Sequence, residues 1–287
     1  MKSEIETSGI TETSETNETN ETNETNETIE TNEINKINKK RHSRGKIAAA
    51  ILAALIVLLL VVSGIYVSDY YHADDAAEAA IAQPAGGLEV LTGDEGELVF
   101  CPSAEHDLHT GLIFYPGGKV EYTAYAPLMS RLAGQGLTCI LLKMPFNLAI
   151  LDTGAADGIT AQYPDITDWY IGGHSLGGVC ACMYLEDHAS EYEGVLLLGA
   201  YSSTDLSGTD LDVLCIYGSE DGVMDREKYA QSLGNLPADY SEYVIEGGCH
   251  AGFGSYGAQE GDGSPAISGE EQQTITADLV LTWVDVH

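Results

Sequence analysis

Hydrophobic and polar positions divide the chain into four regions. Residues 1–46 are polar: a Thr-Asn-Glu repeat of period three fills residues 11–33, and basic residues cluster over 36–46. Residues 47–68 are almost wholly apolar, residues 69–87 are rich in Ala and Asp, and the rest has the mixed pattern of a globular domain. Because the repeat has no helical or strand periodicity, we expect residues 1–46 to form a disordered tail.

The apolar region 47–68 is long enough to cross a bilayer as a helix, which needs about 20 residues. Basic residues precede it and acidic residues follow it, so the positive-inside rule predicts a single-pass protein of the cell membrane with a cytoplasmic N-terminus. The C-terminal domain, residues 88–287, is then extracytoplasmic, and residues 69–87 form a stalk or linker. A cleaved signal peptide is the alternative, although this apolar run is longer than a usual signal-peptide core.

From Leu88 onward the pattern predicts strands that alternate with helices, beginning with a hairpin over residues 88–101. Such alternation is typical of an α/β domain with a mainly parallel sheet that helices cover on both faces. The predicted strands are Gly111–Tyr115, Leu137–Lys143, Ile166–Ile171, Gly194–Leu198, Val213–Tyr217 and Ser241–Ile245, and the predicted helices are Tyr125–Ala133, Val179–Leu185, Arg226–Leu233 and Gly269–Val286.

A glycine-rich turn between a predicted strand and a predicted helix contains Ser175. The turn, Gly172–Gly178, has the pattern Gly-x-Ser-x-Gly. This arrangement is typical of a nucleophile elbow, in which a strained bend holds the serine hydroxyl above the sheet. Glycine is needed beside the serine because larger side chains would collide with the neighbouring strand and helix. The pattern predicts that Ser175 is a catalytic nucleophile.

A serine nucleophile needs a base, and the base needs an acid that orients it. Asp221 lies in the loop after one late strand and His250 in the loop after the next. The carboxyl ends of parallel strands share one edge of the sheet, so Ser175, Asp221 and His250 are predicted to form a catalytic triad in that chain order. Asp221 as a simple turn residue is the alternative, and Glu220 and Asp225 are nearby candidates for the acid.

The predicted oxyanion hole requires two N–H donors. One is the backbone N–H of Leu176, directly after the nucleophile. The other is expected in the glycine-rich loop after strand Gly111–Tyr115, where Gly118 is the first choice and Lys119 the second. An ordinary glycine turn is the alternative interpretation of this loop.

The chain resembles the small α/β-hydrolases related to dienelactone hydrolase over roughly residues 111–286. The resemblance implies the α/β-hydrolase fold, the triad described above and general hydrolase chemistry. Dienelactone hydrolases proper use a cysteine nucleophile where this chain has Ser175, so the dienelactone substrate is not implied. The resemblance is carried by five segments: Tyr115–Glu121, Lys143–Asn147, Gly172–Gly178, Tyr217–Val223 and Gly247–Gly254.

The connection after strand Gly194–Leu198 is too short for a lid domain, which many α/β-hydrolases carry at this point. Only residues 199–212 precede the next strand. We therefore expect an open site without a lid domain. Phe146, Phe253 and Tyr256 are candidates to line the substrate pocket, and simple packing is the alternative for each.

Charge and motif content narrow the function further. Five of the 12 basic residues and 35 of the 45 acidic residues follow residue 46, which gives that part a formal charge of −30. Such a surface repels nucleic acid. The sequence has no metal-ligand spacing, phosphate loop or nucleotide fingerprint, so we expect neither a metal nor a cofactor, and it does not indicate an oligomeric state.

Together these features predict a membrane-anchored, extracytoplasmic serine hydrolase that cleaves small-molecule esters or related acyl compounds through an acyl-enzyme. An acyltransferase that uses a cell-envelope acceptor is the first alternative. A catalytically silent binding module on the same scaffold is the second.

Overall fold

The computed structural model describes residues 15–84 and 86–286, with side chains from residue 26 to residue 285. The chain divides into two compact units, Met1–Tyr66 and Val67–His287. The first unit consists, in its described part, of most of one long helix, α1 (Glu15–Ser68). By length and composition α1 is able to cross a membrane, a test that signal sequences also pass.

Helix α1 differs from the disorder predicted for residues 1–46, because it begins at Glu15 and continues without a break into the apolar region. Residues 1–14 lie outside the described residues. A helix that has already begun gains one backbone hydrogen bond for each residue that is added, which explains how the apolar helix extends into the polar repeat. The Thr31 hydroxyl also donates to the Glu27 carbonyl one turn earlier, at 2.6 Å.

The second unit contains an eight-stranded sheet in the order β1-β2-β4-β3-β5-β6-β7-β8. The β1–β2 and β2–β4 pairs are antiparallel, and the remaining pairs are parallel. The hairpin and the mainly parallel sheet predicted from the sequence are confirmed. The strands are β1 (Glu89–Thr92), β2 (Leu98–Cys101), β3 (Thr110–Tyr115), β4 (Leu137–Leu141), β5 (Asp168–His174), β6 (Gly194–Leu198), β7 (Asp212–Gly218) and β8 (Ser241–Ile245).

Helices cover both faces of the sheet. Successive side chains of a strand point to opposite faces, so on β3 Leu112 and Phe114 enter one hydrophobic cluster while Ile113 and Tyr115 enter the other. The first cluster includes residues of α3 and α7, and the second includes residues of α5 and α6. The helices that follow α1 are α2 (Asp75–Ala82), α3 (Ala126–Ala133), α4 (Ile159–Gln162), α5 (Leu176–His188), α6 (Arg226–Ser232) and α7 (Gly269–Val286).

Much of the predicted stalk is part of the folded domain. Tyr71 forms a parallel bridge with Val120: its N–H donates to the Lys119 carbonyl at 2.8 Å, and its carbonyl accepts from Glu121 N at 2.9 Å. Helix α2, which begins after its capping residue Asp74, packs on α3 and buries Ala77 completely. We call residues 69–84 the strap. Its small alanine side chains allow α2 to approach the domain closely, which a pattern of Ala and Asp alone does not reveal.

The strap generates the first prediction. A soluble chain that begins at residue 88 loses the three backbone hydrogen bonds that Tyr71 and Asp74 make to the domain and the burial of Ala77. Each such bond contributes about 0.5–1.5 kcal/mol, so we expect its Tm to be about 3–18 °C below that of a chain that begins at residue 69. Thermal denaturation followed by circular dichroism measures the difference, and equal Tm values would contradict the assignment of the strap to the domain.

Candidate active site

Ser175 is the single residue between strand β5 and helix α5. Its backbone has φ 52° and ψ −124°, a conformation that a residue with a side chain adopts only under strain. The glycines around it have no room for a side chain: a Cβ on Gly173 would lie 2.6 Å from the Tyr115 carbonyl oxygen, and one on Gly177 would lie 2.2 Å from the same atom. This is the geometry predicted for a nucleophile elbow.

The elbow is tighter than the sequence pattern indicates. The predicted strand ends at Ile171 and the predicted helix begins at Val179, whereas β5 continues to His174 and α5 begins at Leu176. The glycines extend the strand because their backbones pair with β6, with Gly172 opposite Leu196. The glycine-rich composition of the turn therefore placed the predicted end of the strand too early and the predicted start of the helix too late.

Asp221 and His250 form a buried pair at the carboxyl edge of the sheet. Asp221 Oδ2 lies 2.8 Å from His250 Nδ1, and the two side chains are 0% and 1% exposed. Asp221 Oδ1 accepts from the backbone N–H of Val223 and of Met224, at 2.9 and 2.8 Å. A carboxylate that accepts from Nδ1–H leaves the lone pair of the neutral imidazole on Nε2. In the described part of the chain, His250 Nε2 is buried and has no hydrogen-bond partner.

His174, the residue before Ser175, packs against the ring of His250. The His174 ring lies 4.4 Å from the His250 ring, centroid to centroid. His174 Nδ1 is 2.7 Å from the buried hydroxyl of Tyr125, which also accepts from Gly117 N at 3.1 Å. Burial, with a contribution from the neighbouring His250, lowers the pKa of His174 well below 6.5. His174 is therefore neutral near pH 7 and packs beside the pair.

The loop after β3 lies against the first turn of α5. A Cβ on Gly118 would be 2.9 Å from Leu176 Cδ2 and 3.3 Å from Leu176 Cβ, so Gly118 packs directly on the Leu176 side chain. Lys119 N donates to the Asn147 carbonyl at 2.8 Å and is occupied. Within residues 15–84 and 86–286, no acceptor binds the N–H of Gly118 or of Leu176, the first residue of its helix. This geometry favours Gly118 over Lys119 as the second donor toward a ligand oxygen.

The three candidate substrate residues lie in different environments. Phe253 is completely buried, with its ring 5.6 Å from that of His174, and Tyr256 is only 7% exposed. Both belong to the core cluster that also contains Tyr125, which favours simple packing, the alternative left open for these residues, over lining of the substrate pocket. Phe146 is 63% exposed, on the loop after β4.

The connection after β6 carries no lid domain. Residues 199–211 are all described, and they contain no helix or strand. The prediction of a fold without a lid domain at this position is confirmed. Among the residues for which side chains are given, no group of three or more His, Cys, Asp or Glu is placed to hold a metal ion.

Tyr125 is a residue of the site that sequence reasoning missed, and it generates the second prediction. Tyr125→Phe removes the hydroxyl that satisfies Gly117 N and His174 Nδ1 in a buried position. Leaving a buried group unpaired costs about 1–3 kcal/mol, so we expect the free energy of unfolding to fall by that amount. Urea denaturation measures it. The control is Tyr122→Phe, which removes a part-buried bond to the Gly96 carbonyl and should cost less.

The fold is similar to that of several solved structures. Naproxen esterase (carboxylesterase NP) from Bacillus subtilis has a TM-score of 0.53 and 11% identity, with 73% of this chain and 95% of that chain covered. Carboxylesterase CesB (YbfK) from Bacillus subtilis has a TM-score of 0.51 and 10% identity, with 73% and 95% covered. A bacterial membrane phospholipase A has a TM-score of 0.51 and 11% identity, with 82% and 97% covered.

No curated protein matches the sequence. Residues 111–274, more than half of the chain, match the alpha/beta hydrolase family. The α/β-hydrolase fold expected from the sequence is confirmed, whereas the narrower resemblance to dienelactone hydrolase stays a prediction. This chain is a hydrolase of the alpha/beta hydrolase family.

Proposed function

We propose that the chain is a membrane-anchored serine hydrolase that cleaves small-molecule esters or related acyl compounds. Ser175 is the nucleophile, His250 the general base and Asp221 the residue that orients the histidine. The observation that carries the proposal is the buried 2.8 Å contact between Asp221 and His250, packed beside the residue that precedes a strained serine. A polar pair of this kind is costly to bury, and catalysis at Ser175 gives it a reason.

The proposed reaction begins when Ser175 Oγ attacks the acyl carbon of the ester. His250 Nε2 takes the hydroxyl proton as the C–O bond forms, and Asp221 stabilises the resulting imidazolium through Nδ1–H. The carbonyl oxygen becomes an oxyanion and accepts from the N–H groups of Leu176 and Gly118. The intermediate collapses, the alcohol leaves with the proton from His250, and the acyl group remains on Ser175.

Water completes the cycle by the same route. His250 Nε2 takes a proton from water as the water oxygen attacks the acyl-enzyme, and the second tetrahedral intermediate releases the carboxylic acid. Ser175 Oγ regains its proton from His250. No redox change occurs in either half of the reaction, and no cofactor is needed.

The local geometry supports these roles. Asp221 Oδ1 is held by the N–H groups of Val223 and Met224, so only Oδ2 is directed to the histidine. The free Nε2 of His250 has the lone pair that a general base requires. Gly118 packs against the side chain of Leu176, and Leu176 is the first residue of α5. The positive end of a helix is a favourable place for a developing negative charge.

The family and two solved structures of the same fold support the proposed substrate class. Two solved structures of the same fold are named as carboxylesterases, which supports ester cleavage. Phe146, exposed on the loop after β4, is available to contact an apolar acyl or alcohol group. In the proposed domain organisation, residues 47–68 are the membrane anchor, the basic cluster before them is cytoplasmic, and the hydrolase domain is extracytoplasmic.

The nucleophile is tested with a fluorophosphonate probe on the full chain in detergent. We expect the wild type to be labelled and Ser175→Ala to lose both labelling and turnover of a nitrophenyl ester. Ser207→Ala, which removes a hydroxyl bonded to exposed Asp205, is the matched control and should keep both. Persistent labelling of Ser175→Ala would refute the assignment, and a folded wild type with neither activity would favour a silent binding module.

The orienting role of Asp221 is tested with Asp221→Asn. The amide oxygen is expected to keep the N–H groups of Val223 and Met224, which turns the NH₂ group toward Nδ1 and favours the wrong histidine tautomer. We therefore expect kcat to fall on the order of 10⁴-fold, as in serine proteases with the same change. A loss of less than tenfold would contradict the role.

Product analysis with added alcohols separates hydrolysis from acyl transfer. If the acyl group is transferred to alcohol in preference to water, the proposed activity is acyl transfer and not hydrolysis.

A further inference from the structure

The carboxylate of Asp262 accepts four backbone hydrogen bonds. Oδ1 accepts from Gly222 N at 3.1 Å, from His250 N at 3.1 Å and from Gly263 N at 2.9 Å. Oδ2 accepts from Ala251 N at 2.8 Å. Asp262 belongs to the loop between β8 and α7, and nothing in its short-range sequence context predicts these contacts.

These four donors come from the two loops that carry the proposed acid and base. Gly222 directly follows Asp221, and His250 donates its own backbone N–H. One carboxylate therefore binds the backbone beside Asp221 and the backbone of His250 at the same time. A shift of Asp262 would change the relative position of the two loops.

The loops are in close contact where Asp262 joins them. A Cβ on Gly222 would lie 2.7 Å from the Gly261 carbonyl oxygen and 2.9 Å from Gly263 N. A Cβ on Gly263 would lie 1.9 Å from the Glu220 carbonyl oxygen. Neither glycine has room for a side chain, so the segment 261–263 presses directly on the loop that contains Asp221.

The segment around Asp262 is itself fixed on its other side. Glu260 N donates to the Tyr71 hydroxyl of the strap at 3.0 Å. Ser255 N donates to the Ala124 carbonyl at 2.8 Å, and the Ser255 carbonyl accepts from Asp74 N at 2.9 Å. Asp262 therefore extends from a segment that the rest of the domain holds in place.

The charge of Asp262 suits this set of donors. Burial acts to raise the pKa of its carboxyl, but the hydrogen bonds from Ala251, Gly222, His250 and Gly263 outweigh burial and lower the pKa below its usual value. The carboxylate is thus the form that the four N–H groups stabilise.

We propose that Asp262 is a positioning residue of the active site, which fixes the Asp221–His250 pair relative to Ser175 by holding the backbones of both loops. This inference rests on the proposed function. Asp262 does not touch the reacting atoms and acts only through His250 and the loop of Asp221. An error of about 1 Å in the placement of a catalytic group lowers the rate on the order of 100-fold, so loss of the Asp262 hydrogen bonds should lower kcat.

Asp262→Asn is the main test because it keeps the shape and changes the hydrogen bonds. Both oxygens of Asp262 accept from N–H donors, so either orientation of the amide turns its NH₂ group toward at least one donor. The matched control is Asp205→Asn. Asp205 accepts from the N–H and hydroxyl of Ser207 in the connection between β6 and β7, outside the site.

Two measurements are made on the full chain in detergent. The first is kcat and KM for a nitrophenyl ester. The second is amide hydrogen exchange of the segment 247–253, which contains two of the donors and does not depend on catalysis. For Asp262→Asn we expect kcat to fall about 10–100-fold with KM changed by less than about threefold, and the segment to exchange faster. Asp205→Asn should match the wild type in both.

The outcomes separate this inference from the proposed function. An active wild type with a folded Asp262→Asn variant whose kcat is within twofold of wild type overturns the positioning role. Faster exchange with unchanged kcat also overturns it, because Asp262 would then stabilise the loop without affecting catalysis. If the wild type shows no ester turnover, the proposed function fails, and the positioning role fails with it even where exchange shows that Asp262 holds the loop.

A second variant keeps the test decisive if Asp262→Asn does not fold. Gly222→Ala keeps the Asp262 side chain but adds a Cβ that would contact Gly261 and Gly263 too closely, which displaces the Asp262 segment from the acid loop. We expect it to lower kcat in the same way while Gly208→Ala, at a glycine with open space around it, does not. A Gly222→Ala enzyme with wild-type kcat would overturn the proposal.

Discussion

The buried hydrogen bond between Asp221 and His250 sets the requirements that the surrounding structure meets. Two polar side chains that are almost fully removed from water are stable only if their hydrogen-bonding atoms have partners. The loop after β7 supplies two N–H groups to Asp221 Oδ1, and Oδ2 binds the histidine. His250 Nε2 is the one atom of the pair without a partner among the described residues, which is the atom that the proposed reaction uses.

Close backbone approach is the second requirement, and it explains where glycine is indispensable. Gly199, at the end of β6, has φ +51°, and a Cβ on it would lie 2.9 Å from His250 Nδ1 and 3.1 Å from Asp221 Oδ2. Asp221 and His250 therefore pack directly against the backbone of Gly199. Gly177 has the same role at the elbow, against the Tyr115 carbonyl oxygen. The segments at the carboxyl ends of these strands approach closely because the residues at the contacts are glycines, which have no side chain to separate them.

The sequence predicts the parts of this arrangement that depend on local patterns. Strand and helix periodicity and the Gly-x-Ser-x-Gly turn depend on neighbouring residues, so the sheet, the elbow and the placement of Asp221 and His250 after successive strands follow from them. The roles of Tyr125 and Asp262 were missed because each depends on a partner 40 or more residues away: Tyr125 contacts His174, and Asp262 accepts from Gly222 N. The choice between packing and pocket lining stayed open for Phe253, because its position in the loop after β8 does not show which way its ring points.

The strap shows how the same limits affect a domain boundary. Composition places the start of the domain near residue 88, yet Tyr71 pairs through its backbone with Lys119 and Glu121, directly after Gly118. Its hydroxyl accepts from Glu260 N, two residues before Asp262. Tyr71 of the strap thus supports both the loop with the proposed oxyanion donor and the segment that contains Asp262. Because Tyr71 contacts two loops of the candidate site, the structural boundary of the folded domain lies near residue 70.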